Sequence, residues 1–187
     1  MDLEFTAWEG SMARNWSGTG EKKEVVQFGA VKLRADDLSI VDTFEVLVRP
    51  RFNPVLSGYL IELTGITNDA VAARGIDFVT GYSAFLDFAG SSPLWAFGRD
   101  DIVLKDNLRL YSWEQGADLP PYFNVIPWFA ALGIDLNGKH ASDVPEAANL
   151  VFDGRKHDAL DDARGIAAAI AKCVAAGAAN PFTTLPT

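Results

Sequence analysis

Residues 25–48, VVQFGAVKLRADDLSIVDTFEVLV, decide the fold class. Two runs dense in β-branched and aromatic residues, Val25–Arg34 and Ile40–Val48, flank the polar stretch Ala35-Asp36-Asp37. Side chains of that kind suit a pleated, half-buried surface, and short acidic residues suit a chain reversal, so the stretch reads as a β-hairpin. On its N-terminal side, Asp2–Thr6 is a short third strand candidate. Between them, residues 9–23 (EGSMARNWSGTGEKK) are rich in Gly and Ser and are expected to form a mobile loop.

Beyond Pro50 the pattern turns helical. Ser57–Leu63 and Asn68–Ala73 fit short helices, and Asp77–Phe88 a longer one with Asp77 as its N-cap. Pro93–Gly98 (PLWAFG) is a brief apolar run closed by Gly, the pattern of a buried strand. Helices are predicted over Asp100–Leu110, Pro127–Leu132 and Ser142–Leu150. The last, Ala159–Ala176, places Ala163, Ile166, Ala167, Ile170 and Val174 on one face, and that Ala-rich face predicts close approach to a sheet. A hairpin-led sheet followed by strands alternating with helices predicts an α/β domain with a mixed sheet. The expected domain covers residues 1–178, with a loose tail over 179–187 marked by Pro181 and Pro186.

The 187 residues are 49% hydrophobic and 22% charged, enough to bury a sizeable core. Sixteen Lys and Arg against twenty-five Asp and Glu leave a net charge of −9. That balance argues against a general polyanion coat, which rests on many phosphate-neutralising cations, while a carboxylate surplus suits hard divalent cations. Cys173 is the only cysteine, so neither an intrachain disulfide nor a cysteine-based zinc cluster can form. The acids within the first four residues and the lack of an apolar core there argue against a signal peptide, and the most lipid-like stretch, Ile166–Ala179, is too short to span a membrane. A cytoplasmic protein without membrane attachment is the expectation.

The chemistry-bearing candidates are acids. Asp2 and Glu4, two apart on a strand, share one face, with Leu3 and Phe5 on the other. Such a pair is either a ligand set for divalent cations or two solvated acids near the chain start. Asp100 and Asp101 follow the PLWAFG strand at the start of a helix, where acids also simply favour the helix dipole. His157 precedes the Ala-rich helix and Asp162 lies within it. Five residues apart on a continuous helix they would diverge by about 140°, so they converge only if His157 sits on the incoming loop. His140, in NGKHAS, reads as an ordinary surface residue.

DLE at 2–4, LTGIT at 63–67, GRDD at 98–101 and HDALDD at 157–162 occur in the order and spacing of the motifs of DEDDh nucleases. From Asp2 to about Ala176 the chain resembles that DnaQ-like or RNase T-like 3′–5′ exonuclease superfamily, most of all the branch of KapD-like bacterial proteins and of animal exonucleases that trim small-RNA and histone-mRNA 3′ ends. The stretch VRPRFNPVLSGYLIELTGITNDAV (48–71) belongs to the same resemblance. Two departures stand out: only Met1 precedes the first acid, and Phe97 replaces the usual Trp before Gly98.

The resemblance implies a ribonuclease H-like fold with helices on both faces of the sheet. It implies five functional positions, Asp2, Glu4, Asp101, His157 and Asp162. The Gly-x-x-Asp form selects Asp101 over Asp100, and the His-x-Ala-x-x-Asp form selects Asp162 over Asp158 and Asp161. The four acids would hold two divalent cations, Mg²⁺ or Mn²⁺: Asp2 bridging, Glu4 and Asp162 on the first, Asp101 on the second. His157 would be the general base, its imidazole suited to proton transfer near neutral pH. The implied reaction is hydrolysis of terminal phosphodiesters of single-stranded nucleic acid, RNA favoured over DNA, releasing nucleoside 5′-monophosphates. Phe5, Thr6, Thr64, Gly65 and Ile66 would surround the terminal nucleotide; Phe5 reads as core rather than stacking platform, and Ile66 either as a wedge against the base or as plain packing. Arg99, Lys105, Arg109, Arg155 and Lys156 are candidates for a phosphate-binding rim. A homodimer is implied as a possible assembly. The alternatives are a catalytically weak nucleic-acid-binding module on the same fold and a DNA proofreading exonuclease.

Overall fold

The computed structural model describes residues 1–114 and 118–183. Five strands and seven α-helices follow one another as β1 (Asp2–Phe5), β2 (Val25–Leu33), β3 (Ile40–Leu47), α1 (Gly58–Thr64), α2 (Asn68–Arg74), α3 (Phe78–Ala89), β4 (Leu94–Ala96), α4 (Asp100–Leu110), β5 (Tyr122–Asn124), α5 (Ile126–Ala131), α6 (Val144–Ala147) and α7 (Ala159–Ala175). The hairpin is present: β2 and β3 are antiparallel, with Phe28 opposite Val46 and Ala30 opposite Phe44. β1 lies antiparallel on the other edge of β2, pairing Asp2 with Gly29 and Glu4 with Gln27. β4 pairs in parallel with β5. In place of one continuous mixed sheet, the described strands form two sheets, an antiparallel β1-β2-β3 and a parallel β4-β5, and the Met1 ammonium donates to the Trp95 carbonyl (2.7 Å) between them.

Helices cover both faces, and the alternation along β2 shows why. Phe28 points into an aromatic core against Phe78 and Phe85 of α3. Gly29, the next residue, faces α7: a Cβ there would lie 2.1 Å from the Ala159 carbonyl carbon. Neighbours on a strand point to opposite faces, so α3 and α7 lie on opposite sides of β2. The glycine lets the start of α7 press against the sheet at the level of Asp2.

Three expectations need correcting. Residues 9–23 are pinned rather than loose. Arg14 pairs with Glu21, the Trp16 indole donates to the Thr6 carbonyl (2.8 Å), and Asn53 Nδ2 donates to the Gly20 carbonyl (2.9 Å). Residues 179–183 do not hang free: Phe182 packs edge-on to Trp95 with centroids 5.1 Å apart, and Asn180 donates to the Ala35 carbonyl; residues 184–187 lie outside the described residues. The helix expected over Ser142–Leu150 is broken into a 3₁₀ turn, Ala141–Asp143, and the four-residue α6, which starts at Val144-Pro145, where proline lacks the N–H that a continuing helix would use. Among the described residues, no helix is long and apolar enough to cross a membrane.

Candidate active site

The site forms where β1 meets the first turn of α7. Asp2, Glu4 and Asp162 are each less than a tenth exposed. One ligand atom each from Glu4, Asp162 and His157 lie within 4.8 Å of one another. His157 sits just before α7 with φ +59°, a left-handed conformation that polar residues visit more readily than most. The loop placement required for convergence with Asp162 is therefore met. The His157 backbone N–H faces the Asp162 carboxylate and favours its charged form.

The start of α7 is held by groups not singled out in the sequence. Asp158 caps the helix, accepting from the N–H groups of Leu160 and Asp161 at 3.1 Å each. Gln27, fully buried on β2, accepts from the Ala159 N–H (3.0 Å) and donates to Asp158 and Glu45 (3.1 Å each). Gln27 and Gly29 together fix where α7 begins, and so where His157 and Asp162 point. A polar residue and a glycine inside an apolar strand were the available signal.

The second-motif acid is a correction. Asp101 does not face the other acids. It forms a two-pronged pair with Arg99 (2.8 and 3.0 Å) and a second with Lys105 (3.3 Å), and these bonds hold its carboxyl below the usual range. Asp100 turns inward instead: burial, then the neighbouring Asp2 charge, raise its carboxyl well above the ordinary value. The cause lies in the preceding turn. Gly98 takes φ +81°, its N–H donates to Asn124 (3.0 Å), and the Tyr122 hydroxyl donates to the Gly98 carbonyl (3.1 Å) and accepts from the Asp100 N–H (3.0 Å). Both anchors lie on β5, a strand the sequence pattern did not disclose. With that turn fixed, Asp100 faces the sheet and Asp101, about 100° further round, is buried beneath the Arg99 and Lys105 side chains that pair with it.

Four carboxylates thus share one buried place. Burial, partly opposed by the Met1 ammonium and reinforced by Asp158, pushes Asp2 up to about 7. Burial followed by the Asp2 charge pushes Asp162 up to about 8. Glu4 is raised well above its ordinary value by burial, then by Asp2, Asp162 and Asp100. His157 is lowered, first by burial and then by His140, whose ring meets it edge-on at 5.4 Å. His140 is exposed, as expected of a surface residue, and its ring is also the neighbour of His157.

Divalent cations suit this donor set. Asp100 Oδ2 is buried with no hydrogen-bond partner, and clustered carboxylates that burial drives toward protonation gain most from a hard cation among them.

The residues expected around a terminal nucleotide are placed as follows. Phe5 is half-buried against Trp16, centroids 5.5 Å apart. The Thr6 N–H donates to the Glu24 carbonyl (2.8 Å), and its own carbonyl is taken by Trp16. Thr64 is buried, Gly65 closes α1 with φ +67°, and its N–H donates to Ile61. Ile66 lies in an apolar cluster with Val26, Leu60 and Val71, so the structure uses it for packing, not as an exposed wedge. Arg155 lies over Gly65, where a Cβ would come within 1.8 Å of its guanidinium. Most of the expected cationic rim is already paired: Arg99 and Lys105 with Asp101, Arg109 with Asp106, Lys156 with Asp143.

Comparison with known proteins accords with this geometry. The Exonuclease (RNase T) family model matches residues 1–170. The nuclease domain of 3′hExo, a DEDDh family member solved bound to rAMP, superposes with TM-score 0.79 at 26% identity, covering 95% of this chain and 90% of that one. The cell-death related nuclease CRN-4 superposes with TM-score 0.74 at 22% identity, covering 95% of this chain and 63% of that one, a likeness of fold. The 3′-5′ exoribonuclease 1 of Mus musculus is 30% identical over 89% of this chain and 50% of its own length, and the Drosophila melanogaster 3′-5′ exonuclease Snipper 25% over 98% and 71%. The chain spans about half the length of the mammalian relatives it matches. Fold and acid cleft together define a ribonuclease H-like domain of the DEDDh nuclease type. The chain belongs to the Exonuclease (RNase T) family.

Proposed function

We propose that this chain is a divalent-cation-dependent 3′–5′ exonuclease acting on single-stranded nucleic acid, RNA in preference to DNA, and releasing nucleoside 5′-monophosphates. The observation that carries the reading is the gathering of Asp2, Glu4, Asp100 and Asp162 into one buried cluster with the His157 imidazole at its edge. The RNA preference rests on the names of the relatives, exoribonucleases among them, and on the rAMP in the 3′hExo domain.

Asp2, Glu4, Asp100 and Asp162 hold the cations, Mg²⁺ or Mn²⁺, with Asp100 in the position expected of Asp101. Bound there, a pair of cations would offset the charge building on the attacking and departing oxygens. The carboxylates gather where burial makes uncompensated charge costly. His157 accepts the proton of the attacking water. Burial lowers its imidazole pKa and so favours the neutral base, and its place on the loop before α7 sets the ring beside Glu4 and Asp162. Arg155 and the Thr64–Ile66 turn, in contact through Gly65, close one side over the terminal nucleotide, and Phe5 and Thr6 border the other. The domain expected over residues 1–178 extends at least to Phe182, which packs on Trp95, and a homodimer is the proposed assembly.

The test is release of mononucleotides from 5′-labelled single-stranded RNA and DNA, side by side, across a Mg²⁺ and Mn²⁺ titration. One-nucleotide ladders that shorten from the 3′ end, need the cation and run faster on RNA are expected. Binding without shortening at any cation concentration would instead identify a nucleic-acid-binding module.

A further inference from the structure

The segment joining β1 to β2 carries a cation that the acid cluster does not neutralise. Lys23 is half-buried, and its backbone is fixed because Asn107 of α4 donates to its carbonyl at 2.8 Å. The ammonium lies 3.9 Å from the centre of the Trp16 ring and 5.4 Å from that of Phe5. Among the described residues no carboxylate pairs with it, unlike Arg99, Lys105, Arg109 and Lys156. Aromatic faces hold a cation by their quadrupole without cancelling its charge. Burial lowers its pKa while the charges of Asp106 and then Asp100 oppose that lowering, so the ammonium lies within electrostatic reach of Asp100.

The platform is built at a conformational expense. Asn15 and Trp16 are consecutive non-glycine residues at φ +50° and +53°, a costly region for ordinary side chains. The turn is held by the Trp16 N–H bonding to the Ser11 carbonyl and by the Arg14–Glu21 pair. The indole N–H is anchored on the Thr6 carbonyl, two residues beyond Glu4, so the ring is oriented from the same strand that carries the acids. A protein of net charge −9 must attract a polyanion through local positive groups, and this one is pre-positioned beside the cluster on the Asp100 side.

We infer that Lys23, cradled by Trp16 and Phe5, is the phosphate-binding group for the nucleotide immediately 5′ of the one removed, and that Trp16 is its positioning residue. This rests on the nuclease reading for the direction of the strand. A compact ammonium on a fixed backbone holds a phosphate as a point charge and reads no base, so the contact favours oligonucleotides over mononucleotide esters regardless of sequence.

The experiment pairs two substrates and a salt series. Lys23→Gln should weaken binding of a single-stranded oligonucleotide, measured by fluorescence anisotropy with Ca²⁺ as the cation, by about tenfold, and the slope of log affinity against log salt should fall by ~0.7, one phosphate's worth. Hydrolysis of thymidine 5′-(p-nitrophenyl phosphate), which lacks the upstream phosphate, should stay within about twofold, and Lys23→Arg should recover most oligonucleotide binding. Trp16→Phe should retain more of the slope than Trp16→Ala. An unchanged salt slope, or equal losses on ester and oligonucleotide, would overturn the assignment, since the lysine would then act through the acids. A wild-type chain that shows the Lys23-dependent slope yet turns over neither substrate sinks the nuclease reading and leaves the phosphate contact standing.

Discussion

The inner acids and the outer acids of this molecule are the same chemical groups in opposite circumstances. Asp2, Glu4, Asp100 and Asp162 face one another in a buried cleft and are all driven toward protonation. Asp101 and Glu21 sit against guanidinium groups and are driven toward the charged form. Asp100 and Asp101 are adjacent in the chain yet fall on different sides of that line. An outer acid is satisfied by the protein. An inner acid faces like charges instead, an imbalance that a bound cation would relieve under the proposed function.

The sharpest way to break the comparison is to exchange the treatment of the adjacent pair. Asp100→Asn and Asp2→Ala should each lower cation-dependent turnover about a thousandfold or more, several kcal/mol of lost transition-state stabilisation. If Asp101→Asn, not Asp100→Asn, abolished activity, the inner set drawn from the structure would be wrong. His157→Ala should lose about 10²- to 10³-fold, the range for a positioned general base, while isothermal titration shows cation binding retained.

A pH series tests the inner set without mutation. Each inner acid holds its proton more tightly folded than unfolded, so between about pH 4 and pH 8 the unfolded chain binds fewer protons and stability falls as pH rises. Cation-free protein should therefore melt several degrees lower at pH 8 than at pH 5.5, and saturating Mg²⁺ should remove most of the difference. Melting that improved with rising pH in the cation-free protein would contradict the clustering. A smaller effect is expected at Gln27→Leu, which frees the start of α7: turnover about tenfold lower, as for outer partners of metal ligands, with weaker cation affinity. Smallest of all, Asp101→Asn should stay within about threefold in turnover and cost about 1–3 kcal/mol in urea unfolding, since a buried carboxylate there bonds to two exposed cations.

Much of the architecture was legible in local pattern. The β2–β3 hairpin, the cap at Asp77 and the long Ala-rich α7 each carry a signal that neighbours in sequence supply. Elsewhere, distant contacts decided. Residues 9–23 have the composition of a flexible loop, but Trp16 finds the Thr6 carbonyl and Asn53 finds Gly20, and those partners cannot be read from Gly and Ser content. β5 is three residues long and neither strongly apolar nor alternating, so it leaves no periodic trace.

What the sequence determined by itself was the inventory and its order: a strand with two acids on one face, an acidic helix start after a short strand, and a histidine ahead of a helix carrying a further acid. Those follow from period-two and 3.6-residue geometry, which depends only on residues close in the chain. Membership of the cleft was settled by contacts between distant parts of the chain. Which of Asp100 and Asp101 turns inward depends on a turn anchored by Tyr122 and Asn124, more than twenty residues away. How closely His157 and Asp162 approach Glu4 depends on Gly29 and Gln27 from another strand. Side-chain direction at a helix start is set by the surface the helix is pressed against, and no local pattern encodes that surface.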